Sequence, residues 1–92
     1  MSGFITRNPK LAWREIGGET VIISPEDSQV HELNETASLI WKHAEGKTLQ
    51  EVAERVSSVY EISVEAARAD IDALVTAWQQ KQLVFLAAEA KG

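Results

Sequence analysis

Apolar and polar positions along this chain keep two rhythms, and the change falls at Leu33-Asn34. Before it, apolar residues tend to alternate with polar ones, the period of a half-buried strand. After it they recur every three or four residues, the period of a helix with one apolar face. Residues 11–16 predict a first strand. Gly17-Gly18 follows between two β-prone runs and suits the positive φ angles of a tight hairpin. Glu19–Ser24, rich in β-branched residues, predicts a second strand. Pro25-Glu26-Asp27-Ser28 is a turn, because proline presets φ and the Asp27 and Ser28 side chains can bond their own backbone. Gln29–Leu33 is a short third strand. Short connections make the three an antiparallel meander, whose outer strands each leave one edge unpaired.

Asn34 begins the helical half as an N-cap, with Leu33 placed to fold back on the first turn as a hydrophobic staple. Ala37, Ile40, Trp41 and Ala44 then form one apolar stripe, and Leu33 and Trp41 are expected in the core. The helix ends at Gly46, which can take a left-handed C′ conformation. Thr48 and Glu51 make a capping box for a second helix with Leu49, Val52, Ala53 and Val56 on one face. Residues 60–62 form a turn with Ile62 tucked in. Ser63 caps a third and longest helix over residues 64–81, with Val64, Ala67, Ile71, Leu74 and Trp78 as its core stripe. Leu83-Val84-Phe85-Leu86 is too short and too apolar for periodicity to classify, and is a return strand or a strapped tail. The fold class is α+β and winged-helix-like: a three-stranded antiparallel meander, three helices, and a short C-terminal strand or tail. Residues 1–92 form one domain, with loose arms at about 1–8 and 87–92.

The 92 residues allow one modest core, and the composition is that of an ordinary globular protein. Cysteine is absent, which removes disulfides, thiolate nucleophiles and thiolate metal sites. The N-terminal stretch has no apolar core of a secretory signal, and no apolar run approaches membrane-spanning length. The expectation is a cytoplasmic protein with no membrane contact. A formal charge of −5 gives no general attraction to phosphate backbones.

Little in the chain suggests catalysis. His31 and His43 lack any metal-ligand spacing, so no metal site and no cofactor are expected. His43 reads as a favourable cation near a helix C-terminus, and His31 as a packed or half-exposed strand residue. No serine sits in a G-x-S-x-G elbow, and the carboxylates are spread over solvated faces. No catalytic residue is assigned, and the chain is not read as an enzyme. What remains are binding surfaces. A winged-helix-like shape can read DNA with its third helix, or capture an extended peptide on an open strand edge. The third helix carries Glu65, Asp70 and Asp72 against Arg68 in its first half, which disfavours nucleic acid. Self-association through the open edges, as a homodimer, is a further alternative.

Several stretches together resemble the PqqD family. They are Ile23-Ser24-Pro25-Glu26, Leu33-Asn34-Glu35-Thr36-Ala37 with Ile40-Trp41, Gly46-Lys47-Thr48, and Glu51-Val52-Ala53, preceded by Arg7-Asn8-Pro9. The resemblance runs from about Arg7 to Leu86, and rests on order and spacing rather than one motif. Two places depart from the family pattern. Lys81-Gln82-Leu83 stands where a Gly-Trp pair often ends the third helix, and Asp27-Ser28 where the second hairpin turn usually has glycine. The resemblance implies a RiPP recognition element: a non-catalytic peptide chaperone that binds the leader of a ribosomally made precursor peptide. Its partner would be a modifying enzyme, of radical SAM type in pyrroloquinoline quinone biosynthesis. The family pattern places the peptide between the third strand and the third helix. Carried over, the candidate peptide-binding residues are Gln29, Val30, His31 and Glu32 on the strand, and Arg68, Asp72, Val75 and Gln79 on the helix.

Overall fold

The computed structural model describes residues 3–88. Its strands are β1 (Phe4–Arg7), β2 (Ala12–Ile16), β3 (Glu19–Ser24) and β4 (Gln29–Leu33). Helices α1 (Glu35–Ala44), α2 (Leu49–Tyr60) and α3 (Val64–Gln80) follow, then strand β5 (Val84–Ala87). The meander predicted from the two-residue rhythm is the sheet β2-β3-β4, and β5 is a return strand.

The first segment departs from expectation. Part of the predicted loose arm is strand β1, antiparallel to β5 with Phe4 opposite Ala87 and Arg7 opposite Val84. The other side of β1 bonds the turn after α1. Ile5 N–H donates to the Lys47 carbonyl at 2.8 Å, and Gly46 N–H donates to the Ile5 carbonyl at 2.8 Å. The Ile5 side chain is fully buried. The C-terminal arm likewise begins later than expected, since Ala87 belongs to β5. Residues 1–2 and 89–92 of the two arms lie outside the described residues.

Asn34 Oδ1 accepts from the Ala37 N–H at 2.9 Å and starts α1 where the rhythm changes. Leu33 and Trp41 both enter the core. Trp41 is its centre. Its ring meets Trp13 edge-on at 6.1 Å and Trp78 edge-on at 5.3 Å, centroid to centroid. The Arg7 guanidinium lies 4.9 Å from the Trp13 centroid and 5.8 Å from that of Trp41. Arg7 also donates to the Trp41 carbonyl and pairs with Glu45 at 3.4 Å, so it ties β1 to α1. One polar pair is buried between sheet and helix. Thr20 Oγ1 donates to Ser38 Oγ at 2.8 Å, and Ser38 Oγ donates to the Leu33 carbonyl, so both hydroxyls are satisfied.

The Thr48–Glu51 capping box is complete. Glu51 N–H donates to Thr48 Oγ1 at 3.1 Å, and Thr48 N–H donates to Glu51 Oε1 at 2.9 Å. The backbone bond from Thr48 holds the Glu51 carboxyl below its ordinary range. A depressed carboxylate pKa contributes stability above the unfolded value and loses it as pH falls through the folded one. The box therefore loosens on the acid side of the ordinary glutamate range. Thr48→Ala should lower stability by about 1 kcal/mol through loss of the cap bond. Denaturant melts that coincide with wild type would show that α2 does not depend on this cap.

Three side-chain expectations need correction. Ile62 is 38% exposed rather than tucked in; what holds that turn is the Ser57 hydroxyl donating to the Ile62 carbonyl. The α3 stripe is also rotated. Val75 is buried and Leu74 is only partly so, because Leu49 and Leu86 cover the Val75 side. His43 is held below its ordinary pKa by burial, then by Arg55, Lys42 and Lys47, so the site favours neutral imidazole over the expected cation.

Candidate functional site

The hairpin between β2 and β3 sets which backbone groups the sheet leaves unused. Gly17 and Gly18 have φ of +59° and +85°, which is the two-residue type I′ turn. In such a turn the flanking pair, Ile16 and Glu19, exchanges both of its hydrogen bonds. Successive residues of a strand aim their N–H and C=O to opposite sides. Glu19, Val21 and Ile23 therefore bond β2, and Thr20, Ile22 and Ser24 bond β4. Their partners on β4 are Leu33, His31 and Gln29. Val30 and Glu32 are left with N–H and C=O directed away from the sheet. Strand β4 is an outer strand, so this row forms a free edge.

Side chains on β4 alternate about the same plane. His31 is half-buried and shares the helix-facing side with buried Leu33. Val30, 59% exposed, and Glu32, also exposed, point to the opposite face. Gln29 is exposed at the start of the strand.

The helix half of the expected site gathers elsewhere. Arg68, Asp72, Val75 and Gln79 share one depression with Leu49, Thr76 and Leu86. Arg68 Nε bonds Asp72 Oδ1 at 3.2 Å, and Arg68 Nη1 donates to Gln50 Oε1 at 3.0 Å. Val75 is buried as part of the core, and Gln79 is half-buried. This is the side of α3 that meets the start of α2 and strand β5, and no β4 residue lines the depression. Strand β4 instead packs on β3 and α1. The four strand residues thus lie together, and so do the four helix residues, but not around one cavity. Leu49 and Leu86 were not foreseen at the depression; Leu86 reaches it only because β5 pairs with β1, which no local pattern announces.

Among the described residues, no cluster of three or more His, Cys, Asp or Glu side chains is placed to hold a metal ion. None of the described helices is long and apolar enough to cross a membrane. The described site offers an edge of backbone donors and acceptors on β4 and, apart from it, a depression of mixed polar and apolar lining against α3. Such an edge suits an extended main chain better than a small molecule.

Comparison with known sequences gives a match to the family described as Coenzyme PQQ synthesis protein D (PqqD), over residues 19–84. The chain belongs to the PqqD family. No curated protein matches the sequence. Two solved structures share the fold of this PqqD-family chain. One is TbiB1 in complex with the TbiA(beta) leader peptide, at a TM-score of 0.81 and 20% identity, covering 86% of this chain and 93% of that one. The other is a lasso peptide synthetase B1 complexed with the leader peptide, at a TM-score of 0.79 and 26% identity, covering 88% of this chain and 96% of that one. Two positions where the PqqD-family chain lacks the family's glycines sit in or next to left-handed backbone: Ser28 has φ +59° and Gln82 has φ +60°.

Proposed function

We propose that this chain binds the leader of a ribosomally made precursor peptide and presents it to a modifying enzyme, without catalysing a reaction itself. The leader adds as a strand to the free edge of β4. The observation that carries this reading is the outward row of N–H and C=O groups on Val30 and Glu32. Family membership and a fold shared with two leader-peptide complexes support it. Main-chain pairing supplies affinity, and the alternating side chains of the bound segment supply selectivity. In the quinone pathway that the family description names, the receiving enzyme would be of radical SAM type. The reading places these partners in the cytoplasm, where precursor peptides are made.

The test is a proline scan of β4. Proline removes the N–H donor, and it is tolerated in an edge strand where that N–H faces solvent. Val30→Pro and Glu32→Pro should therefore stay folded by circular dichroism. In calorimetric titration with a leader peptide, each should lose at least about tenfold in affinity, because one main-chain bond and its geometry are gone. His31→Pro should instead break a bond to β3 and lower the melting temperature. Folded Val30→Pro and Glu32→Pro variants that bind like wild type would exclude strand addition here. Arg68→Glu reports on the helix depression separately. A loss of affinity that grows at low salt ties that depression to the peptide. A wild-type titration confines the site to β4.

A further inference from the structure

Two exposed carboxylates stand beside the free β4 edge, on the side of the sheet turned away from the helices. Glu32 lies on β4 opposite Val21, and Glu19 lies two residues before Val21 on β3. Neither makes an ion pair among the described residues. Both line one depression next to the Gly17-Gly18 turn, and Ile16 and Val21 line it with them. The cation on this side of the strands is Arg14, opposite Val21 on β2. Two strand spacings, about 10 Å, keep it from Glu32. The depression thus has apolar residues and two carboxylates without a cation, and it adjoins the outward backbone row of Val30 and Glu32.

We propose that the β4 edge selects leaders with a lysine or arginine beside Glu32 and a branched apolar residue beside Val30, one residue lying between the two. This rests on the strand-addition reading above, and names the sequence which that reading leaves open. A strand added to β4 sets its side chains by the same alternation, whichever way it runs. The ligand residue beside Glu32 shares the face of Glu32, and the residue beside Val30 shares that of Val30. Side chains directly opposite on a sheet stand about 5 Å apart at Cβ, and opposite charges there attract. A long basic side chain beside Glu32 leans into the depression, its apolar stem on Val21 and its charge toward Glu32 and Glu19. An acidic side chain in that place adds a third carboxylate. Val30, 59% exposed, offers the neighbouring ligand residue an apolar contact. The backbone row makes the site, and the carboxylates decide what fills it. The formal charge of −5 draws a basic segment from a distance, but the register fixes which of its residues is basic. Every strand pair in this fold is antiparallel, and in an antiparallel ligand the basic residue comes first.

Selection from a random library of displayed peptides about nine residues long tests it, with the full chain as bait. Wild type should enrich Lys or Arg with Val or Ile at the second position after it. Glu32→Lys keeps the backbone N–H, and should enrich Asp or Glu at the basic position instead. Titration of one enriched peptide gives the size of the effect. Glu32→Lys should weaken it about fivefold or more, and a peptide with Glu in place of its basic residue should recover most of that loss. The loss should shrink at high salt. Enrichment that Val30→Pro abolishes, but without a basic residue at that spacing, keeps strand addition and overturns this proposal. A Glu32→Lys pool identical to that of wild type does the same. A basic preference that persists with Val30→Pro is the general attraction of an acidic chain, and overturns it too. A wild type that enriches nothing removes the strand-addition reading and this proposal together.

Discussion

Trp41→Ala should cost about 3–5 kcal/mol of folding stability, the largest single loss expected in this fold. The indole is fully buried, and two other indoles pack edge-on against it. Each such aromatic pair adds about 0.5–1.5 kcal/mol beyond area burial. The cation–π contact from Arg7 would go as well. Against this stands one unfavourable feature: the buried Trp41 indole N–H finds no acceptor among the described residues. An unmet buried donor costs about 1–3 kcal/mol, so Trp41→Phe removes that cost while keeping much of the fill. Phe should therefore be tolerated far better than Ala. Denaturant melts of the two variants decide it. Equal losses would mean that the N–H is satisfied after all and that the indole's full shape is needed.

Ile5→Ala should lose about 2–5 kcal/mol, comparable to the centre of the main core. Ile5 lies outside the family match and in a stretch that reads as an arm. Its side chain is nonetheless fully buried, and its backbone bonds to Lys47 and Gly46 close β1 onto the turn after α1. A chain cut before Pro9 would lose β1 altogether and leave β5 without its partner. Thermal melts of Ile5→Ala check the size of the effect. A variant as stable as wild type would show that β1 docks without contributing to the core.

That contrast shows where the sequence is readable. Strands β2 to β4 and the three helices follow from local signals: a two-residue alternation, the paired glycines at 17–18, the caps at Asn34, Thr48 and Ser63. Strand β1 carries no such signal. Phe-Ile-Thr-Arg is too short to show a period, and what buries Ile5 lies far along the chain in β5 and the α1–α2 turn. The same cause rotated the α3 stripe: Leu49 and Leu86 cover Val75, and Leu86 arrives only through the β1–β5 pairing. For the site, residues 29–32 could be read as an outer strand. Which of them turn their donors outward required the type of turn at Gly17-Gly18 and the register built on it. The helix residues were chosen by position in the family, and position does not say which flank of α3 looks toward β4.

The β1–β5 pairing also fixes where the described chain comes and goes. Phe4 lies opposite Ala87, so the two ends stand one strand spacing apart, about 5 Å. They are in a different sheet from the β4 edge. A fold whose ends meet in this way can be spliced into a surface loop of a host protein with little rearrangement of the host. Grafted onto a chosen enzyme, it would bring the β4 edge proposed to dock the leader through a pair of short linkers at a single corner.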